Sequence, residues 1–339
     1  MFPSLINHRG MKSRIGIVFD GFDNAKATLE LAQSAEKAGA GSIWIAEHMG
    51  YREAITLCAA CATVTNSITL VPTAISPYLW HPTPTAMSLS TLAELAPGRT
   101  SCCVSVGNLL NLEESGETPT KPVKDVREFI EDLRSLWTGS AVSAERTGYR
   151  LNGARMEFLT GAPIPVYVAS TGPQVLRMSG RVADGALFSV GLSLDYTRKC
   201  VGWVEEGLST KSRDRSEFSM ASFVFFGVSE NGRDAVDDLR RKLAFLFRSA
   251  RHAENIASSG LKIDHEAIIA AASKRDFDAA TALIPDEAVD VFCIGGTPSN
   301  SCDRLEEYIN AGIDEPVLQI VGSPENQQLA IETIRDYIG

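Results

Sequence analysis

The residues in this chain best equipped for chemistry are a Ser170-Thr171-Gly172 turn, an adjacent Glu47-His48 pair, and His81. The turn stands between an apolar run, Pro165 to Ala169, and Pro173, which suits the first turn of a helix because its missing N–H would be unpaired there. Backbone N–H groups at such a helix start, with the positive end of the helix dipole, favour an anion such as a phosphate. A glycine lets that anion come close to the backbone. A Ser or Thr helix cap without any ligand is the other reading of the same turn. His48 exchanges protons near neutral pH, and Glu47 offers a carboxylate beside it. Neighbours in an extended chain point to opposite sides, so the two need not touch, and a packed or capping histidine is the alternative. No third ligand stands beside them to complete a metal site. The chain has neither a G-x-S-x-G elbow nor a P-loop, which argues against hydrolase and phosphoryl-transfer chemistry.

What positions these residues is an alternation of short β-branched runs with helical stretches, the pattern of parallel strands joined by crossover helices. Eight runs are expected as strands: 14–19, 42–47, 67–73, 100–106, 165–170, 185–190, 218–228 and 316–321. Eight strands with intervening helices predict an α/β fold, a closed (β/α)8 TIM barrel. An open doubly wound sheet is the runner-up, but it normally carries G-x-G-x-x-G after its first strand, and GIVFDGFD is not that. Residues 140–162 predict a small hairpin before the fifth strand, and 231–297 a helical insertion between the seventh and eighth. With no repeat or linker, one domain over 1–339 is expected. Reactive groups of a parallel barrel gather past the C-terminal ends of its strands. The positions there are Asp20 and Gly21, Glu47 to Met49, Ala74 to Tyr78 with His81 beyond, Gly107 and Asn108, and the Ser170 turn.

Composition narrows the partners. A net charge of -10 opposes nucleic acid or an anionic membrane as the main partner, since both ask for a basic face. No apolar run reaches the roughly 20 residues that span a bilayer, and the first ten residues lack a secretory stretch. A soluble, cytoplasmic protein acting on a small molecule is expected. The seven cysteines form an odd set without framework spacing, consistent with a reducing compartment. Cys58 and Cys61 share one helical face and are expected to pack, while the adjacent Cys102 and Cys103 point to opposite faces of a strand.

Together, the Glu47-His48 pair, PTAISPYLWHP (72–82), STGP (170–173) and the following ADG resemble the luciferase-like flavin and deazaflavin oxidoreductases. The resemblance runs nearly end to end. It is greatest to the F420-dependent methylenetetrahydromethanopterin reductases, through PYLWHPTPTAMSLSTLAELAPGR, PVKDVREFIEDLRSLWTG, ASTGPQVLRMSGRVADG and PDEAVDVFCIGGTPSNSCDRLEEYINAGI. It implies F420 or FMN at the C-terminal mouth, with the phosphate at Ser170, Thr171 and Gly172. The ring would stack over a bulge after the third strand with a cis peptide at Thr73-Ala74, bordered by Ser76, Gly107 and Asn108. His48 matches the catalytic histidine of bacterial luciferase and would handle the proton, with Glu47 and His81 as its partners. Glu47 is an Asp in many of the methanopterin enzymes. The reductases usually have Gly-Asp followed by Lys after the fourth strand, where this chain has Gly107-Asn108-Leu109. The resemblance thus implies hydride transfer between F420 and a small, pterin-like organic substrate. An FMN-dependent monooxygenase and a non-catalytic flavin-binding barrel are the alternatives. A homodimer is implied, with the Ala/Cys-rich face of residues 54–64 either forming the interface or packing on its own barrel.

Overall fold

Eight β-branched runs become eight parallel strands in the computed structural model, which describes residues 14–22 and 24–339. The reading of the first ten residues lies outside that set. The strands are β1 (Gly16–Phe19), β2 (Ser42–Ala46), β3 (Thr69–Thr73), β4 (Cys102–Val104), β5 (Val166–Ala169), β6 (Gly185–Phe188), β7 (Ser219–Val228) and β8 (Glu315–Val321). Each falls on an expected run, mostly shortened at its ends. Pairing runs β3-β2-β1-β8-β7-β6-β5-β4. Parallel bridges from Leu70 to Thr100 and from Ile75 to Val104 return β4 to β3. The sheet therefore closes into the (β/α)8 barrel, and the open doubly wound alternative falls away. The expected hairpin forms from Val142–Glu145 and Arg150–Ala154. The insertion holds helices Arg233–Phe247, Ala253–Ser258, His265–Ser273, Phe277–Ala282 and Asp286–Phe292. A short strand not foreseen from sequence, Ile294–Gly296, lengthens the sheet beside the end of β7.

Period-2 alternation sends one residue of every strand to a common layer inside the barrel: Val18, Trp44, Val71, Cys103, Tyr167, Leu187, Ala221 and Val317. The two large rings meet edge to face at 5.0 Å between centroids and fill the centre. Below them Glu315, 3% exposed, accepts from Ser42 Oγ and lies 3.5 Å from Arg14, while Trp44 Nε1 donates to Ser42 at 2.8 Å. The N-terminal end is thereby plugged by a paired, hydrogen-bonded charge. Towards the other end the partly buried residues packed on this layer are Ala46, Ala74, Ala169 and Phe223.

The cysteines behave as expected. Cys103 faces the barrel interior and Cys102 the surrounding helices. Cys58 and Cys61 are buried in the core between the barrel and the helix Ala54–Ala62, so the Ala/Cys-rich face packs on its own barrel and is not available as an interface. No disulfide occurs among the described residues.

The helix Pro173–Val182, which follows the candidate anion turn, is seated by a close crossing on Leu194–Thr210. A Cβ on Gly207 would collide with the Arg177 carbonyl oxygen, and one on Gly180 with that of Val204. Backbone meets backbone there, and no rotamer can relieve the clash. The ADG motif also proves structural, since Asp184 accepts from Val166 N–H at 2.8 Å and from Arg134 at 2.7 Å, tying the start of β5 to the helix Pro122–Leu136. Gly207→Ala is expected to cost about 1–3 kcal/mol in urea unfolding. It should also displace the helix at the candidate turn, whereas Gly202→Ala, where an added Cβ meets nothing within 4 Å, should be neutral or stabilising.

Candidate functional site at the C-terminal mouth

Beyond β5 the chain leaves the sheet through Ser170, whose N–H still pairs with Leu187 O at 3.0 Å. Gly172 begins the helix with φ -92° and ψ 140° and supplies no side-chain cap. Ser170 Oγ instead accepts from Gly172 N–H at 3.0 Å, inside the turn, so the reading of a Ser or Thr helix cap does not describe this helix. Pro173 has no N–H, and by helix geometry those of Gln174 and Val175 lack an intrahelical partner. The Thr171 carbonyl accepts from Tyr196 Oη–H at 3.2 Å, which fixes the turn to the next helix. The turn is a rigid cradle with backbone donors at its floor.

Past β3 the Thr73-Ala74 peptide is cis. Ile75 then resumes pairing: its N–H donates to Cys103 O at 2.8 Å and its carbonyl accepts from Ser105 N–H at 3.0 Å, leaving Ala74 between the two pairings. Ser76 is buried and donates to Val106 O at 2.7 Å. Gly107 lies opposite with φ +101°, where a Cβ would be strained and would sit 3.3 Å from Ser76 Oγ. Asn108 follows as an exposed residue before the helix Leu109–Glu114. Tyr78 Oη donates to Asp125 at 2.7 Å, and Thr147 of the hairpin donates to the same carboxylate at 3.0 Å, so the hairpin braces this segment.

Past β2 the Glu47 and His48 side chains diverge. Glu47 N–H donates to Thr73 O at 2.5 Å. Its carboxylate accepts from Trp80 Nε1 at 3.0 Å and from Ala54 N–H at 3.3 Å. His48 instead stacks on Phe22, 4.7 Å between centroids and 19° between planes, and Tyr51 meets Phe22 edge-on at 4.6 Å. Burial pushes the Glu47 carboxyl above its ordinary value, opposed by the Trp80 and Ala54 hydrogen bonds and aided by nearby Glu53. Burial pushes the His48 imidazole below its ordinary value, opposed by the charge of Asp20. Burial thus disfavours the charged form of both groups, the imidazolium of His48 and the carboxylate of Glu47.

His81 departs from the sequence expectation. It caps the helix Pro82–Leu95, with Nδ1 accepting from Thr83 N–H at 3.2 Å, and its ring rests against Tyr149 of the hairpin at 5.3 Å. The helix start engages Nδ1. Sequence reasoning missed Phe22, Tyr51 and the bond from Trp80. Phe22 and Tyr51 are 47% and 58% exposed, and exposed aromatics carry no periodic signal. No group of three or more His, Cys, Asp or Glu able to hold a metal occurs among the described residues, and no described helix is long and apolar enough to cross a membrane.

Residues 4–315 match the luciferase-like monooxygenase family. The 5,10-methylenetetrahydromethanopterin reductase of Archaeoglobus fulgidus is 28% identical over 296 residues, 86% of this chain and 87% of that protein. The corresponding reductase of Methanolobus tindarius is 28% identical over 96% of this chain and 99% of its own. The fold is that of the coenzyme F420 dependent tetrahydromethanopterin reductase from Methanopyrus kandleri, with a TM-score of 0.87, 24% identity, and coverage of 96% of this chain and 98% of that one.

Site-resolved NMR should find His48 titrating below the usual imidazole range and Glu47 above the usual carboxylate range. Because the native His48 resists protonation, its contribution to stability is present above about pH 6.5 and is lost as the pH falls towards the native value. Glu47 works in the other direction: its raised value costs stability as the pH rises above the unfolded value of 4.5. Ordinary titration of both groups would show that the mouth is open to water.

Proposed function

The chain belongs to the luciferase-like monooxygenase family, and we propose that it is an oxidoreductase passing a hydride between coenzyme F420 and a small organic substrate. The observation that carries this reading is the meeting at one barrel rim of a helix start without a side-chain cap after β5, a bulged segment after β3, and a half-buried His48 after β2. Likeness over most of the chain to the methanopterin reductases supports F420 over FMN.

The residues suit such a group. An added Cβ at Gly172 would meet only Ser170 Oγ, at 3.8 Å, so the space over the helix start is open for a phosphate. Ser170, Thr171 and Gly172 would hold that phosphate, with backbone N–H groups as donors. Thr73, Ala74, Ser76, Gly107 and Asn108 would border the ring. F420, when bound, supplies the hydride chemistry, and the protein supplies orientation and proton handling. His48 would accept or return the substrate proton, with Glu47 close by. Phe22 stacks on His48 and would shield it from bulk water. His81 is left out of this machinery, because capping engages its Nδ1.

We also assign the 339 residues to one domain of a cytoplasmic homodimer. The insertion core includes Phe225 and Val321 of the barrel, which supports the single domain. Exposed Met87 and Leu95 on the helix Pro82–Leu95 offer an apolar contact for a second copy.

Titration of the purified protein with F420 and separately with FMN, followed by absorbance and fluorescence, tests the reading: tight F420 binding is expected, and binding of FMN alone would replace it by the monooxygenase reading. His48→Ala should lower turnover by about 10²- to 10⁴-fold with little change in cofactor affinity. Gly172→Asp should do the reverse, weakening F420 by roughly tenfold or more through a like charge at the helix start.

A further inference from the structure

We propose that Trp80 is a positioning residue of this site: its indole N–H holds the Glu47 carboxylate against the start of the helix Ala54–Ala62, and so fixes the backbone that carries His48 at the barrel mouth. The inference rests on the function proposed above and concerns how that site is held.

The geometry is specific. Glu47 is joined to the segment after β3 twice, by its own N–H to Thr73 O at 2.5 Å and by its side chain to Trp80 Nε1 at 3.0 Å. The second carboxylate oxygen takes Ala54 N–H at 3.3 Å, the first residue of the helix Ala54–Ala62, and the peptide between Glu47 and Ala54 carries His48. Trp80 is itself anchored, since its N–H donates to Ser76 O at 3.0 Å and its ring packs against the core cluster that contains Ile55 and Leu89. An indole can donate and cannot accept, and its bond is stronger to the charged carboxylate than to the neutral carboxyl, so it favours the charged form.

The bond therefore works against burial and against the charge of Glu53 on the same carboxyl. The Ala54 N–H acts in the same direction, and the other groups nearby face elsewhere. His48 points away to Phe22, Asp20 acts on His48, and His81 on the Trp80 segment turns to Thr83. Trp80 is thus the side chain that ties the proton-handling pair to the cofactor-bordering bulge at Thr73 to Ser76.

Trp80→Phe removes the donor and keeps an aromatic body. It should move the Glu47 carboxyl titration, read by 13C NMR of glutamate-labelled protein and assigned with Glu47→Gln, to higher pH. The corresponding limb of the turnover profile should move with it, with turnover down roughly tenfold while KM and F420 affinity change less than threefold. In a Glu47→Gln background the same substitution should leave the pH profile unchanged. In unaltered protein, the Trp80 indole N–H resonance should titrate together with the Glu47 carboxyl, a reading that stands even if the variant does not fold. An unmoved Glu47 titration in Trp80→Phe, an indole resonance indifferent to Glu47, or a moved titration with an unchanged profile would each overturn the proposal. Absence of F420 binding by the unaltered protein would instead remove the proposed function, and the two NMR titrations would still decide the tie.

Discussion

Two backbone hydrogen bonds made by Ile75, to Cys103 and from Ser105, close the barrel beyond the last residue of β3. Without them only Leu70, bonded to Arg99 and Ser101, would join β3 to β4, and the residues that border the mouth would have no common rim. The same bonds set the path of the segment that follows. Ser76 is placed on Val106 O, Gly107 is placed opposite Ser76, and Trp80 is brought within reach of Glu47. Closure of the fold and construction of the candidate site are one event in this chain.

The distribution of side-chain volume inside the barrel does the complementary work. Trp44 and Tyr167 fill the middle layer, and a paired carboxylate, Glu315, occupies the base. The partly buried residues above them are three alanines, Ala46, Ala74 and Ala169, and Phe223. Burial there is partial, and it disfavours the charged form of both groups, which raises the Glu47 carboxyl and lowers the His48 imidazole. The hairpin contributes from outside, since Asp125 and Asp132 of one helix anchor it through Thr147, Arg146 and Tyr149, and Asp125 also receives Tyr78 from the bulged segment.

Much of this was legible in the sequence because it is local. The β-branched runs, the Pro at the helix start after β5, and the glycine at 172 each act within a few residues, where steric and hydrogen-bonding rules are strongest. The hairpin and the helical insertion were legible for the same reason. The short strand Ile294–Gly296 was not, because three residues rich in glycine become a strand only when the end of β7 offers an unpaired edge. The capping contact of His81 was also hidden, since it depends on how Thr83 N–H and Tyr149 settle around the ring.

By itself the sequence determined the order and type of the elements, the rim on which His48, Ser76, Gly107 and Ser170 gather, and the resemblance from which F420 follows. Only the tertiary structure decided which of those side chains act on one another. Glu47 and Trp80 are 33 positions apart, and Asp125 and Tyr78 are 47 apart. Contacts at that separation leave no periodicity in the chain, because they depend on how two crossover segments settle over a closed sheet. The desolvation that shifts Glu47 and His48 is equally collective, arising from the neighbours that packing supplies.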